Sequence, residues 1–374
     1  MWGPMEVAII SSATDLHSEV VRWALAQAGV PCHVMDTLYG LHNHGGASLL
    51  IDDLPSTRGG TCNANLRAAW YRRHYKVRSA ASDADDENGV FRTSESNMMQ
   101  ENVVATLGAD PNISWINDPS SARAAEHKFL QLVHAKQSGL AVPPTLMSAD
   151  PDRIREFARA HRSLVVKPFG VYSWAYSDLS RTYALASKVD AARILDSPDG
   201  ALSNTPAIYQ VAVDKVSDLR VVVVGSDVYA YDIAQVGVPD FDCRFAMANP
   251  KMASIEPYSL SAEQKARVLR MMTSLNIDMA SADFALTADG DIVFLDLNPA
   301  GAWLFLEERV PSVGLTSLVC RLLAEKAGYA PGLDFPDYAA FARSSAVEAF
   351  NHRYRTEAEK GATIRNDRTW TEAA

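Results

Sequence analysis

Apolar positions near the N-terminus switch between two periods. Val7-Ala8-Ile9-Ile10 is a continuous apolar run of strand length. Over residues 15–27 the period becomes helical, with Leu16, Val20, Trp23 and Ala24 on one face, and Gly29 follows as a stop. Residues 30–35 read as a second strand, so this β-α-β order predicts the start of a parallel sheet. Its first turn, Ser11-Ser12-Ala13-Thr14, has no glycine, and no dinucleotide is placed there. Asp118-Pro119 and Asp150-Pro151 repeat one device, an N-cap aspartate ahead of a proline at the first helical position. The two helices are predicted to run to about Gln137, before Gly139, and to about His161. Pro143-Pro144 leads into a short strand, and residues 163–169 form another. Residues 198–206, rich in Gly, Asp, Ser, Asn and Pro, read as a link between lobes. Two hairpins follow, residues 219–224 with 228–233 and residues 281–287 with 291–297, with a helix over 261–275 between them. Residues beyond Ala330 are charged and weakly periodic and read as an appended helical tail.

Composition narrows the class. The 374 residues suggest two to three domains at roughly 150 residues each. With 48% hydrophobic and 21% charged residues, disordered and collagen-like chains are excluded. No apolar run reaches the roughly 18 residues of a membrane span, and the first residues lack the basic-then-apolar order of a signal peptide. A net charge of −10 argues against nucleic acid as a partner, which needs a basic footprint. Cys32, Cys62, Cys243 and Cys320 show no C-x-x-C spacing, so neither structural zinc nor a disulfide framework is expected, and a cytoplasmic location is. His42-Asn43-His44-Gly45-Gly46 reads as a polar loop before it reads as a metal site. The basic run Arg72-Arg73-His74-Tyr75-Lys76-Val77-Arg78 is either a solvated surface or a patch for an anionic partner, and residues 79–88 read as a mobile polar loop.

The second hairpin is the most informative segment. A two-residue type I′ loop at Asp289-Gly290 places Ala288 opposite Asp291, and counting outward places Asp283 opposite Asp296. Asn298, two residues on, shares their face. The other face collects Phe284, Leu286, Val293, Leu295 and Leu297 as a core face. Directly opposed residues have Cβ atoms roughly 4.5–5.5 Å apart, and like charges there destabilise. Either both aspartates face solvent on an edge, or a cation sits between them. An oxygen-only set of two carboxylates and an amide suits Mg²⁺, which keeps waters and takes phosphate oxygens as further ligands.

In order along the chain, Val165-Val166-Lys167-Pro168, Ile208-Tyr209-Gln210, Asp218-Leu219-Arg220, Asp283 and Phe294-Leu295-Asp296-Leu297-Asn298-Pro299 resemble an ATP-grasp ligase. More narrowly, the chain resembles the microviridin-type graspetide synthetases, which crosslink ribosomal precursor peptides. That match rests on Asn298-Pro299-Ala300-Gly301-Ala302-Trp303 with Glu307, Trp70-Tyr71-Arg72-Arg73, Trp115-Ile116-Asn117-Asp118-Pro119, Lys128 with Gln131-Leu132, and Asp242-Cys243-Arg244. The sequence departs from that pattern at Asp296, where the family commonly has Glu, and at Ala302, often Gln.

The resemblance implies an α/β ATP-grasp fold: a Rossmann-like pre-ATP-grasp domain (1–117), a central domain (118–205), a C-terminal domain (206–330) and the tail (331–374). It implies ATP and Mg²⁺ as cofactors. Lys128 and Lys167 match the phosphate lysines, the segment with Gln210, Val211 and Val213 the adenine hinge, and Asp283, Asp296 and Asn298 the metal ligands. Arg220 and Arg244 match arginines near the transferred phosphate, where a fixed cation stabilises spreading charge. Arg72, Arg73 and Lys215 are candidate contacts to the peptide, a ribosomal precursor with a leader and an acidic core. A homodimer is one assembly the resemblance implies. The implied reaction activates a peptide carboxylate as an acyl phosphate, which a Ser/Thr hydroxyl or Lys amine of the same peptide then attacks. Two other readings stay open: an ATP-grasp amide ligase with a small-molecule or protein-terminus acceptor, and a non-catalytic nucleotide-binding protein.

Overall fold

The computed structural model describes residues 5–37, 50–51, 55–56, 65–74, 87–170, 172–175, 181–235 and 253–359. His42 and His44, Lys76 and Arg78, residues 79–86 and Asp242-Cys243-Arg244 lie outside them.

Three sheets position the site. The first is parallel, in the order Cys32–Asp36, Glu6–Ser11, Leu66–Tyr71, Ser114–Ile116, as the β-α-β start predicts. Asp15 caps the helix Leu16–Gln27 by accepting from the Ser18 N–H at 2.9 Å. Gly29 ends it at φ +76°, a left-handed conformation that costs glycine little. The helix Glu87–Gly108 carries no signal the sequence reading used, and it takes in the last two residues of the expected loop.

The second sheet is antiparallel, in the order Ser187–Asp190, Ser163–Lys167, Ala207–Val211, Thr145–Ser148. The strand Ala207–Val211 belongs here, paired on both sides, and not beyond a boundary at residue 205. The expected link at 198–206 is therefore internal to this sheet's unit, and it contains the short helix Asp199–Ser203. The chain leaves the sheet only after Val211.

The third sheet is antiparallel, in the order Ala253–Tyr258, Asp227–Gln235, Ser217–Val224, Met279–Leu286, Ile292–Asn298. Its strand Ser217–Val224 ends in four valines because both faces are buried. Val221 and Val223 face a core with Met271, Phe284 and Phe294. Val222 and Val224 face a second core that runs into the first sheet through Val7, Ile9, Trp70, Leu315 and Val319.

The helix expected from Asp118 to Gln137 is two helices, Pro119–Ala125 and Lys128–Gln137. The break strands the Ala125 carbonyl, and the buried Gln131 amide takes it at 2.7 Å. Lys128 consequently opens the second helix.

Of the expected tail, residues 331–359 are described and carry the helices Tyr338–Ala342 and Ser345–Glu359, which join the core. Phe335, Phe341 and Phe350 are buried among residues of the first and third sheets. Glu307 anchors the segment. One of its oxygens accepts from the Thr316 N–H (2.9 Å) and hydroxyl (2.7 Å), the other from the Tyr338 N–H at 3.0 Å. Weak periodicity arose because this segment fills gaps with scattered aromatics, not with one continuous stripe. Phe341→Ala is expected to lower the unfolding free energy by about 3–5 kcal/mol in urea titrations. A loss under about 0.5 kcal/mol would mean a surface tail.

Candidate active site

The edge strand Ile292–Asn298 brings the predicted acidic pair together by an unpredicted route. The loop before it has three residues, not two. The Thr287 N–H donates to the Asp291 carbonyl (2.9 Å), the Gly290 N–H donates to the Thr287 carbonyl (3.0 Å), and Gly290 sits at φ +82°. Pairing thus begins one residue out of the expected register, with Leu286 opposite Ile292 and Phe284 opposite Phe294. A bulge at Leu295 then restores it, so that Asp283 faces Asp296 and Ser281 faces Asn298. Two one-residue slips cancel. The core face changes accordingly. Phe294, not Leu295, is fully buried, edge-on to Phe284 with ring centroids 5.5 Å apart.

Cations from three elements meet this pair. Lys128 Nζ donates to both Asp296 oxygens at 2.7 Å. Arg220, opposite Asp283 on the neighbouring strand, donates from Nη1 to its Oδ1 at 2.7 Å and from Nη2 to the Ala302 carbonyl at 3.4 Å. Lys167, closing the strand Ser163–Lys167, donates to Gln210 Oε1 at 3.1 Å and to the bulge carbonyl of Leu295 at 3.4 Å. Burial pushes the Asp296 carboxyl up, but the Lys128 and Lys167 charges pull it further down, leaving it below the ordinary range.

The donor set fits Mg²⁺. Asp283 and Asp296 offer hard anionic oxygens from adjacent strands, with side chains 49% and 37% exposed, so water can complete a shell. The Asn298 amide oxygen accepts from the Ala300 N–H at 3.1 Å, which fixes its orientation and leaves a second lone pair. Among the described residues no cluster of three or more His, Cys, Asp and Glu offers a competing metal site.

The hinge candidates separate. The Gln210 side chain is buried and donates to Thr145 Oγ1 at 2.9 Å, so it serves Lys167. The Val211 N–H is taken by the Pro144 carbonyl at 2.9 Å. The Val213 N–H has no partner among the described residues.

The expected peptide contacts fare differently. Arg72 is 1% exposed and belongs to no surface patch. Its Nη1 donates to the carbonyls of Ala300 (2.7 Å) and Gly301 (2.6 Å), clamping the turn after Asn298. Asp15 lies 3.6 Å from Arg72 Nε and 3.9 Å from Arg73 Nη1. Burial raises the Asp15 carboxyl, the two arginines lower it more, and the net position is well below the usual carboxylate range. His17, held neutral by burial and by the Arg72 charge, accepts the Trp303 N–H at Nε2 (3.2 Å). Lys215 is engaged by Asp218 at 2.6 Å.

Sequence reasoning missed Asn117 as a clamp. At φ +49° its Nδ2 donates to the Met279 and Pro299 carbonyls, both at 2.7 Å, while its Oδ1 accepts from the Asp278 and Met279 N–H groups. An asparagine directly before an Asp-Pro cap was the available signal, because Asn tolerates that backbone.

Two titrations check this arrangement. Lys128→Met removes the nearest cation from Asp296, and NMR carboxyl titration is expected to show the Asp296 pKa rising; an unchanged value would mean the ion pair is not populated. Asp15→Asn is expected to cost about 3 kcal/mol at neutral pH, because Arg72 keeps a buried, uncompensated charge. A carboxyl depressed on folding stabilises above its unfolded value of 3.8 and loses that contribution as pH falls through and below it. The gap between parent and Asp15→Asn in denaturant melts should therefore narrow below pH 3.8; a constant gap would refute the ion pair.

No protein-family model matches the chain, and no curated protein matches it. Solved structures do. The macrocyclase MdnC from Microcystis aeruginosa MRC, bound with precursor peptide MdnA, is 20% identical, covers 86% of this chain and 100% of its own, and superposes with a TM-score of 0.70. A Chryseobacterium gregarium RiPP-associated ATP-grasp ligase, in complex with ADP and a leader and core peptide, is 19% identical over 88% of this chain and 98% of its own, with a TM-score of 0.72. The ATP-grasp ligase PsnB, complexed with a minimal precursor, Mg and ADP, is 21% identical over 87% and 99%, with a TM-score of 0.69. The chain thus has the α/β ATP-grasp fold.

Proposed function

We propose that this protein is an ATP-dependent carboxylate ligase that forms ester or amide crosslinks between side chains of a ribosomal precursor peptide. The observation that carries the reading is Asp283 facing Asp296 across the hairpin, with Lys128 and Arg220 each donating to one of them. Nucleotide and precursor-peptide complexes of the similar structures support the substrate class.

On this reading Lys128 and Lys167 hold the phosphates of ATP as point charges. The Val213 N–H meets the adenine edge. Asp283, Asp296 and Asn298 hold Mg²⁺, which supplies charge neutralisation at the phosphates. Arg220 and Arg244 stabilise the charge that develops during transfer. A peptide Asp or Glu carboxylate oxygen bonds to the γ-phosphorus as the bond to ADP breaks, giving an acyl phosphate. A peptide hydroxyl or amine then bonds to the acyl carbon, inorganic phosphate leaves, and the nucleophile's proton is lost. No enzyme nucleophile is needed, so catalysis rests on position and electrostatics. Arg72 is withdrawn from the peptide contacts because it is buried; Arg73 stays as a candidate, and Lys215 would first have to leave Asp218.

Co-expression with an adjacent acidic, Ser/Thr-rich peptide, followed by mass spectrometry, is expected to show successive losses of water. Asp296→Ala or Asn298→Ala should cut peptide-dependent ADP release by about a hundredfold or more with an unchanged circular dichroism melt. Parental rates in either variant would overturn the metal assignment.

A further inference from the structure

The strand Ile292–Asn298 carries two of the three oxygen donors, yet it is the sheet's edge. It also contains the bulge, which removes ladder bonds next to Asp296. An edge strand with a bulge is poorly held on its open side. Among the described residues, Ala141 and Gln131 close that side at Phe294 and Leu297. The Phe294 N–H donates to the Ala141 carbonyl at 2.9 Å. At Leu297, the residue between Asp296 and Asn298, the buried Gln131 amide plays the part of a missing neighbour strand. Its Nε2 donates to the Leu297 carbonyl at 2.8 Å, and its Oε1 accepts from the Leu297 N–H at 3.1 Å. The same Nε2 donates to Ala125 O at the helix break. Gln131 lies one turn after Lys128 in the same helix, so this amide sets Lys128 against Asp296 as well as fixing the strand.

We infer that Gln131 is a positioning residue for the metal and phosphate site: by pairing with the Leu297 backbone it registers the Lys128 helix to the strand bearing Asp296 and Asn298. This rests on the metal reading of those residues. Both ends of the Gln131 amide are engaged by backbone groups, so its effect passes through the backbone on either side of Leu297. Groups that orient ligands in this way typically change metal affinity by about 10–100-fold when removed.

The test is calorimetry of ADP binding across a magnesium titration, on the parent, Gln131→Met, Asp296→Asn and the double variant. Hydrogen exchange at the Leu297 amide is measured on the ligand-free proteins. Gln131→Met is expected to raise the half-effective magnesium concentration by about tenfold or more. It should weaken magnesium-free ADP binding, which still uses Lys128, by less than it weakens binding at saturating magnesium, accelerate exchange at Leu297, and shift the midpoint less once Asp296 is Asn. A folded Gln131→Met protein with the parental magnesium midpoint overturns the inference. So does equal weakening with and without magnesium, which is what a purely structural role produces. If Asp296→Asn leaves the midpoint unmoved, the metal reading fails first and takes the inference with it. Should Gln131→Met not fold, Gln131→Asn, which withdraws the same amide by one methylene, carries the comparison under the same outcomes.

Discussion

The site depends on like charges placed face to face. Asp283 and Asp296 are directly opposed across the hairpin, and like charges so placed destabilise a sheet. The fold meets that repulsion with Arg220 from the adjacent strand and Lys128 from the first residue of the helix Lys128–Gln137. Lys167 adds a third positive charge from another sheet, its Nζ donating to the bulge carbonyl of Leu295 and to Gln210 beside it. The electrostatics of one hairpin therefore bind together parts of the chain more than a hundred residues apart. On the proposed function a magnesium nucleotide brings an anion for the lysines and a cation for the carboxylates. Partners are exchanged, and the local charge stays balanced.

Local signals were legible where one residue type has one physical job. The Asp-Pro caps, the Gly29 stop and the first β-α-β unit were all read from such positions. The facing aspartates were also read, but partly by luck. Asp-Gly suggested a two-residue turn, whereas Thr287 closes a three-residue loop with Gly290 at its left-handed position. Leu295 then absorbs the slip as a bulge. Nothing in the alternation of Val293, Phe294 and Leu295 marks which of them is extra, since all three are apolar. Only packing decides: Phe294 has Phe284 to meet in the core, and Leu295 does not reach it.

The rest was hidden because it is tertiary. The helical period continues from Pro119 past Lys128, and no Gly or Pro marks the break at His127. Gln131 satisfies the Ala125 carbonyl that the break frees, and the same amide bonds Leu297 of the edge strand. Arg72 belongs to a basic run, and a basic run reads as surface until the first sheet docks against the turn at Ala300 and Gly301. Phe335, Phe341 and Phe350 join one core cluster with residues of the first and third sheets, and their spacing has no period to detect.

The same tertiary contacts explain why an edge strand can carry donors that must stay in place. From Leu297 to Gly301 the backbone is gripped in succession by Gln131 at Leu297, Asn117 at Pro299 and Arg72 at Ala300 and Gly301. Gln131 comes from the helix of Lys128, whereas Asn117 and Arg72 come from the ends of two strands of the parallel sheet. Each grip uses a planar amide or guanidinium group, whose donors are fixed in direction once the side chain is buried. Asp15 completes the set by compensating Arg72. The N-terminal sheet is thus part of the framework that holds Asn298 in place. A substitution at Asp15, far from the hairpin in sequence, reaches the site along a chain of three contacts: Asp15 to Arg72, Arg72 to Ala300, and Ala300 to the Asn298 side chain.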